Sequence, residues 1–305
     1  MSNPSDLTTH ELRPDCWQAN LVRSLQLFRN VKGWHRVVDR LLPRNLSGRF
    51  RVENESTWIE GDLGSFVERE IFLYGGYEGQ LIREFLKMTA NTPQRTILDI
   101  GANIGQHSIK YAAVFDRVHS FEPNPDLWEK FENNVSLNPK GMVTLHKVGV
   151  ANEDAELPFY NVDNGNEGLG TFSDIEQYDK SLEMAGTLKV VRGDDFLRSI
   201  GVSDVDAMKI DVQGFEGEVL LGLQETLRST RPIVWLELGA ATKMDLSSSE
   251  EVQRFFPYPV RLFHLRHSTH FMIRGLTLTE ISGEELPTGD YLVCPRDDEE
   301  SPSPP

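Results

Sequence analysis

Apolar and polar positions change period along this chain, and the changes mark its elements. Leu21, Leu25 and Phe28, then Trp34, Val37, Val38, Leu41 and Leu42, recur at helical spacing, and Pro43 stops the second run. Residues 64–90 predict two more helices separated by Gly75-Gly76. Beyond them, short continuous apolar runs alternate with helical ones. Runs at 96–100, 117–121, 143–150, 205–210 and 233–238 read as buried strands. Helices on Ile104–Ala113, Leu127–Val135 and Phe215–Leu227 fall between them, the rhythm of an α/β fold. Strands near 260–274 and 291–294 complete the sheet. Residues 152–192 break the alternation with a hairpin pattern and a glycine-rich run, Asn164–Ser173, suited to a lid or a surface loop. The chain thus divides into a helical cap and lead-in (1–92, loose over its first fifteen residues), an α/β domain (93–296) and an acidic, proline-rich tail (297–305) whose composition predicts disorder.

The first two strands frame the chemistry. Residues 96–105 read strand, then Asp99-Ile-Gly101-Ala-Asn103-Ile-Gly105, and the second strand ends in Glu122. Glycines let backbone approach a nucleoside, and an acid after the second strand accepts from ribose hydroxyls. A dinucleotide would bring its pyrophosphate close to Asp99, which at about 4 Å and an effective dielectric of about 20 costs roughly 4 kcal/mol. An ammonium there gains a similar amount. The pattern therefore favours a nucleoside with a cationic amino-acid tail and no phosphate, which describes S-adenosylmethionine.

Asp99–Gly105, Phe121-Glu-Pro-Asn124 and Lys209-Ile-Asp-Val-Gln-Gly-Phe-Glu216 together resemble the FkbM-type methyltransferases, as do Gly76-Tyr77-Glu78 and Asp194-Asp195-Phe196-Leu197. The resemblance runs from about residue 58 to 240. It implies a Rossmann-like class I methyltransferase sheet and an oxygen acceptor, a hydroxyl of a sugar, glycan or secondary metabolite. One departure stands out: Gln213 occupies a position where the family usually has an acid.

Ligands of open α/β sheets lie beyond the carboxyl ends of the strands. Asp99, Gly101, Asn103 and Gly105 are accordingly assigned to the methionine end of the cofactor, Glu122 with Asn124 to the ribose, and the backbone at Gly149-Val150 to the adenine edge. Asp211, ending the fourth strand, is the main catalytic candidate, as a base, an acceptor-orienting group or a cofactor contact, with a helix N-cap as the structural alternative. Glu216 is a second candidate, although a helix dipole alone favours an acid there. Tyr77, Glu78, Glu237 and His264 are candidates for the acceptor side. Asp211, Glu216 and Glu237 could offer oxygens to Mg²⁺, but with Gln213 removing one acid no metal is expected. His264, His267 and His270 do not share one strand face, which argues against a zinc cluster.

Composition narrows the partners. Against 31 Lys and Arg stand 47 Asp and Glu, a formal charge of −16, which disfavours nucleic acid because such binding rests on cations at phosphates. The two cysteines, Cys16 and Cys294, lack any metal spacing and fit a reducing compartment. With no long apolar run or leader pattern, the expected location is the cytoplasm. Residues 21–51 oppose this acidity with eight Arg or Lys and one acid, Asp39. Such a basic amphipathic stretch either packs on the acidic body or docks on an anionic membrane surface or acceptor. The rival readings are a nicotinamide-dependent oxidoreductase and a non-catalytic cofactor-binding scaffold.

Overall fold

The structure, a computed structural model, describes residues 11–43, 46–162, 170–172, 182–239, 246–270, 273–283 and 285–296. The first ten residues, most of the glycine-rich run and the acidic tail lie outside them, as do the side chains of His267 and His270. Near the start, Leu12 bridges to Arg51.

The N-terminal part carries α1 (Trp17–Ser24), α2 (Trp34–Leu41), the antiparallel pair β1 (Arg49–Asn54) and β2 (Thr57–Asp62), α3 (Phe66–Tyr74) and α4 (Gly79–Met88). The hairpin adds to the helical cap expected from periodicity. Phe50, Val52 and Ile59 alternate inward, and Glu55-Ser56 make a two-residue turn with positive φ at both positions. That turn lacks the usual Asn-Gly signal. Val22, Phe50, Ile59 and Ile71 share one core with Ile104, Ile109 and Leu127, so the cap packs directly on the α/β domain.

That domain continues with β3 (Thr96–Ile100), α5 (Gln106–Tyr111), β4 (Arg117–Phe121), α6 (Pro125–Ser136) and β5 (Met142–His146). A second sheet follows, built from β6 (Gly149–Ala151), β7 (Ala155–Val162), β8 (Gly170–Thr171) and β9 (Leu182–Arg192). Then come α7 (Gly193–Ser199), β10 (Val205–Ile210), α8 (Glu216–Gly222), α9 (Gln224–Thr230), β11 (Ile233–Leu238), α10 (Ser249–Phe255), β12 (Val260–His270), β13 (Ile273–Ile281) and β14 (Gly289–Pro295).

Among the described residues the main sheet runs β13-β12-β14-β11-β10-β3-β4-β5. Strands β5, β4, β3, β10 and β11 are parallel, and β14 inserts antiparallel between β11 and β12. This is a Rossmann-like, class I methyltransferase arrangement. Every residue of β3 and β10 is buried, as a parallel strand covered on both faces requires. Strand order reverses at β3, whose neighbours are β4 and β10, and ligands gather at such a switch point.

Two expectations are corrected here. The apolar run 143–150 is not one strand: β5 ends at His146, and Gly149–Ala151 pairs with β9 in the second sheet. The run 260–274 is likewise a hairpin of β12 and β13. Among the described residues no helix is long and apolar enough to cross a membrane. Much of the basic stretch is consumed internally. Arg23 donates to Asn54 and to the Phe72 and Glu53 carbonyls, Arg29 to the Tyr74 carbonyl, and Arg51 to Glu60.

Candidate active site

A cleft opens at the switch point. Its floor is the turn after β3, where Gly101 holds φ +82° against the backbone of Asp211. Gly101, Asn103, Glu122 and Asn124 all line it, together with Lys209, Asp211 and Gln213. Glu122 organises this end: one carboxylate oxygen accepts from the Asn103 amide and the other from the Asn124 amide, both at 2.9 Å. The Asn124 side chain caps α6 by accepting from the Asp126 amide. Phe159, Gly170 and Phe172 form an apolar wall, so the segment inserted at 152–192 does reach the cleft.

Burial pushes Glu122 up to about 7. A ligand hydroxyl donating to it favours the ionised form, so binding would lower that value. Affinity for S-adenosylhomocysteine is therefore expected to weaken as pH falls below about 7 and to level off above it. Calorimetry across that range on the wild type and Glu122→Gln checks this, since the variant should lose the slope.

Several assigned residues stand elsewhere. Asp99 has no exposed surface; its carboxylate accepts from Ser108, itself bonded to Ser120, beneath the glycine turn. Asp99 does not itself line the cleft; it stands behind the turn, and its other carboxylate oxygen has no partner among the described residues. Gly105 starts α5 with its Cα against Phe131 and does not line the cleft. Gly149 and Val150 do not themselves line the cleft: Val150 belongs to the core, and Gly149 sits behind the cleft-lining Pro123 and Phe172. Glu216 accepts from the Gly214 and Val212 amides, fastening the turn after β10 rather than facing the cleft. His264 stacks on Tyr291 with ring centroids 4.6 Å apart, and it lines neither this cleft nor the cavity beside it.

The remaining candidates converge. Asp211 accepts from Lys209 Nζ at 2.9 Å and from the Gln213 amide at 2.8 Å, and it bonds Glu237 as well. Gln213 thus supplies a donor where an acid would repel Asp211. Glu78, Glu237 and Asp290 bring carboxylate oxygens within 4.8 Å of one another, a set that could also hold a hard cation. Antiparallel β14 creates this by placing Asp290 directly opposite Glu237. Two ionised carboxylates facing each other across a strand pair would repel, so the arrangement favours a protonated form of one of them.

Electrostatics separate the four acids. Burial would raise Asp211, but the Lys209 ammonium outweighs it and holds the carboxyl below its usual range. The Asp211 carboxylate beside it, together with burial, pushes Glu237 up to about 10. Burial lifts Glu78 well above the ordinary range and Asp290 to about 6, against the bond Asp290 accepts from Trp235. Sequence reasoning missed Asp290. The available signal was the antiparallel last strand, whose first residues must lie at the carboxyl edge of its parallel neighbours.

Tyr77 joins the cleft to a neighbouring cavity of about 640 Å³, which Glu78 and Asp290 also line. Its backbone is pinned by the Gln106 side chain, which accepts from the Tyr77 amide and donates to its carbonyl.

A glycine turn at a switch point, with a buried acid ending the adjacent strand, defines an α/β domain of the class I methyltransferase type. Residues 99–258, more than half of the sequence, match the Methyltransferase FkbM domain, and the chain belongs to that family. It is 28% identical over 136 residues to the hexuronic acid methyltransferase AglP of Haloferax volcanii, across 45% of this chain and 53% of that protein. It is 27% identical over 151 residues to the 2-O-methyltransferase NoeI of Sinorhizobium fredii, across 46% and 61% respectively. The chain therefore spans little more than half the length of these curated relatives. A crystal structure of methyltransferase FkbM from Methylobacillus flagellatus is similar over 66% of this chain and 43% of that one, at a TM-score of 0.41 and 16% identity.

Proposed function

We propose that this chain transfers a methyl group from S-adenosylmethionine to a hydroxyl of a sugar, glycan or other small-molecule acceptor. The observation that carries this is the line of carboxyl groups from the cleft (Asp211) through Glu237 to the adjoining cavity (Glu78 and Asp290). Gly101, Asn103, Glu122 and Asn124 would hold the nucleoside, and Lys209 with Asp211 would fix the reacting end. When bound, the cofactor supplies an electrophilic methyl on a sulfonium.

Asp211 is the positioning group: Lys209, Gln213 and Glu237 lock its carboxylate, and in-line geometry is a large part of such a transfer. Glu237 keeps its proton at neutral pH and donates to Asp211. Asp290, close to 6 and ionised at neutral pH, is matched to receive the acceptor's hydroxyl proton. An oxygen acceptor is also named in one relative above, the 2-O-methyltransferase NoeI, and membership of a methyltransferase family removes the case for a nicotinamide oxidoreductase.

The test is transfer from radiolabelled S-adenosylmethionine to a glycan and metabolite panel, with and without EDTA. Cofactor binding with no transfer to any acceptor would support the scaffold reading instead. For an active acceptor, the rate should fall with acid through about pH 6, and Asp290→Asn should remove that limb and lower the plateau by about 10²-fold. An unchanged pH profile in the variant would relieve Asp290 of the role.

A further inference from the structure

The cavity beside the donor cleft carries a charge pattern that restricts what can enter it. Its cations are already engaged. Glu55 pairs with Arg29 at 3.5 Å, Arg83 at 3.1 Å and Lys110 at 3.2 Å, and Arg29 also donates to the Tyr74 carbonyl at 2.7 Å. Both arginines that line the cavity thus have their charge answered by Glu55, and Arg29 is held through both terminal nitrogens, by Glu55 and by the Tyr74 carbonyl.

Its acids, by contrast, want donors. The Glu78 Oε2 atom is fully buried with no hydrogen-bond partner among the described residues, although His107 Nε2 approaches to 3.5 Å. Burial drives His107 down to about 3, so at neutral pH that ring is uncharged and forms no ion pair with Glu78. Glu70 lies on the same cavity, and among the described residues no side chain forms an ion pair with it. Asp290 completes the set from β14, facing Glu237. A buried carboxyl group without a donor is costly, and a hydroxyl-rich or ammonium-bearing guest removes that cost. Two rings line the cavity as well, His35 and Tyr74, tilted at 36° with centroids 4.6 Å apart, and either can offer a face to a sugar ring.

Resting on the methyl-transfer reading above, we propose that this cavity is the acceptor subsite and that it selects a polyhydroxylated acceptor that is neutral or bears an amine, discriminating against a uronate. The hydroxyls donate to Glu78, Glu70 and Asp290, and the hydroxyl nearest Tyr77 and Asp290 is the one presented to the cleft. The basic N-terminal stretch then has a concrete role: through Arg29 and His35 it forms one side of the subsite.

Three oligosaccharide series of matched length test this: cello-oligosaccharides (neutral), chitosan oligomers (amine-bearing) and oligogalacturonates (anionic). Each is offered to the full chain with radiolabelled S-adenosylmethionine, while calorimetry follows S-adenosylhomocysteine binding separately. The neutral or the amine series is expected to be methylated at least tenfold faster than the anionic one. Glu70→Gln should narrow that ratio at least threefold without changing S-adenosylhomocysteine affinity. Equal or faster methylation of the oligogalacturonates overturns the proposal, and so does an unmoved ratio in Glu70→Gln. Failure of all three series while S-adenosylhomocysteine still binds also overturns it and leaves the donor cleft intact. Loss of S-adenosylhomocysteine binding by the wild type would instead defeat the methyl-transfer reading itself.

Discussion

Asp211→Asn is expected to slow single-turnover methyl transfer by about 10²-fold, with S-adenosylhomocysteine affinity changing no more than a few-fold. The carboxylate accepts three bonds, from Lys209, Gln213 and Glu237. An amide presents two hydrogens on one side, so it cannot accept from all three. Glu237, which donates its proton to Asp211, would have to rotate or ionise, and the carboxyl line towards Asp290 would break. Lys209 would lose its 2.9 Å partner while nearly fully buried. Stripping one member of a buried ion pair costs about 3–5 kcal/mol, and Asp99 and Glu78, which also stabilise the ammonium, should hold the loss near the lower end. Rapid-quench kinetics, calorimetry and thermal unfolding on one preparation separate these effects. Equal losses in rate and in cofactor affinity would make Asp211 a cofactor contact rather than an acceptor-side positioning group.

Gly101→Val should do more damage still. A Cβ at this position would lie 1.8 Å from the Asp211 carbonyl oxygen, which is backbone and cannot swing away. Its φ of +82° adds a conformational penalty that a β-branched residue bears worst. Together these predict a stability loss of about 3 kcal/mol or more and at least a hundredfold loss of S-adenosylhomocysteine affinity. Chemical denaturation and calorimetry measure both. A variant that keeps wild-type affinity would mean that β3 and β10 can separate without disturbing the cleft.

The central strands were legible nearly to the residue, for a physical reason. Strands β3, β4, β10 and β11 are covered on both faces or nearly so, and that leaves an unbroken apolar run between turn residues. Glu122 and Asp211 follow at once, because each directly ends such a run. What failed has equally local causes. Lys147 and Val148 carry the chain from one sheet to another without a glycine or proline, so 143–150 read as a single strand. The β1–β2 hairpin turns through Glu55-Ser56, residues that ordinarily avoid positive φ. Glu216 and Asp99 are acids at the expected edge, but neither lines the cleft: one Glu216 oxygen is committed to the turn amides and one Asp99 oxygen to Ser108. Nothing in residue spacing distinguishes such a commitment from a free carboxylate. Asp290 was missed because its importance depends on which strand it pairs with: only an antiparallel last strand beside β11 sets its first residues against Glu237.

The placement of β14 has a consequence for how the molecule matures. The donor cleft is lined wholly by residues up to Gln213, whereas the acid facing Glu237 arrives only when the last strand threads between β11 and β12. A nascent chain could thus capture its nucleoside before it has the means to use it.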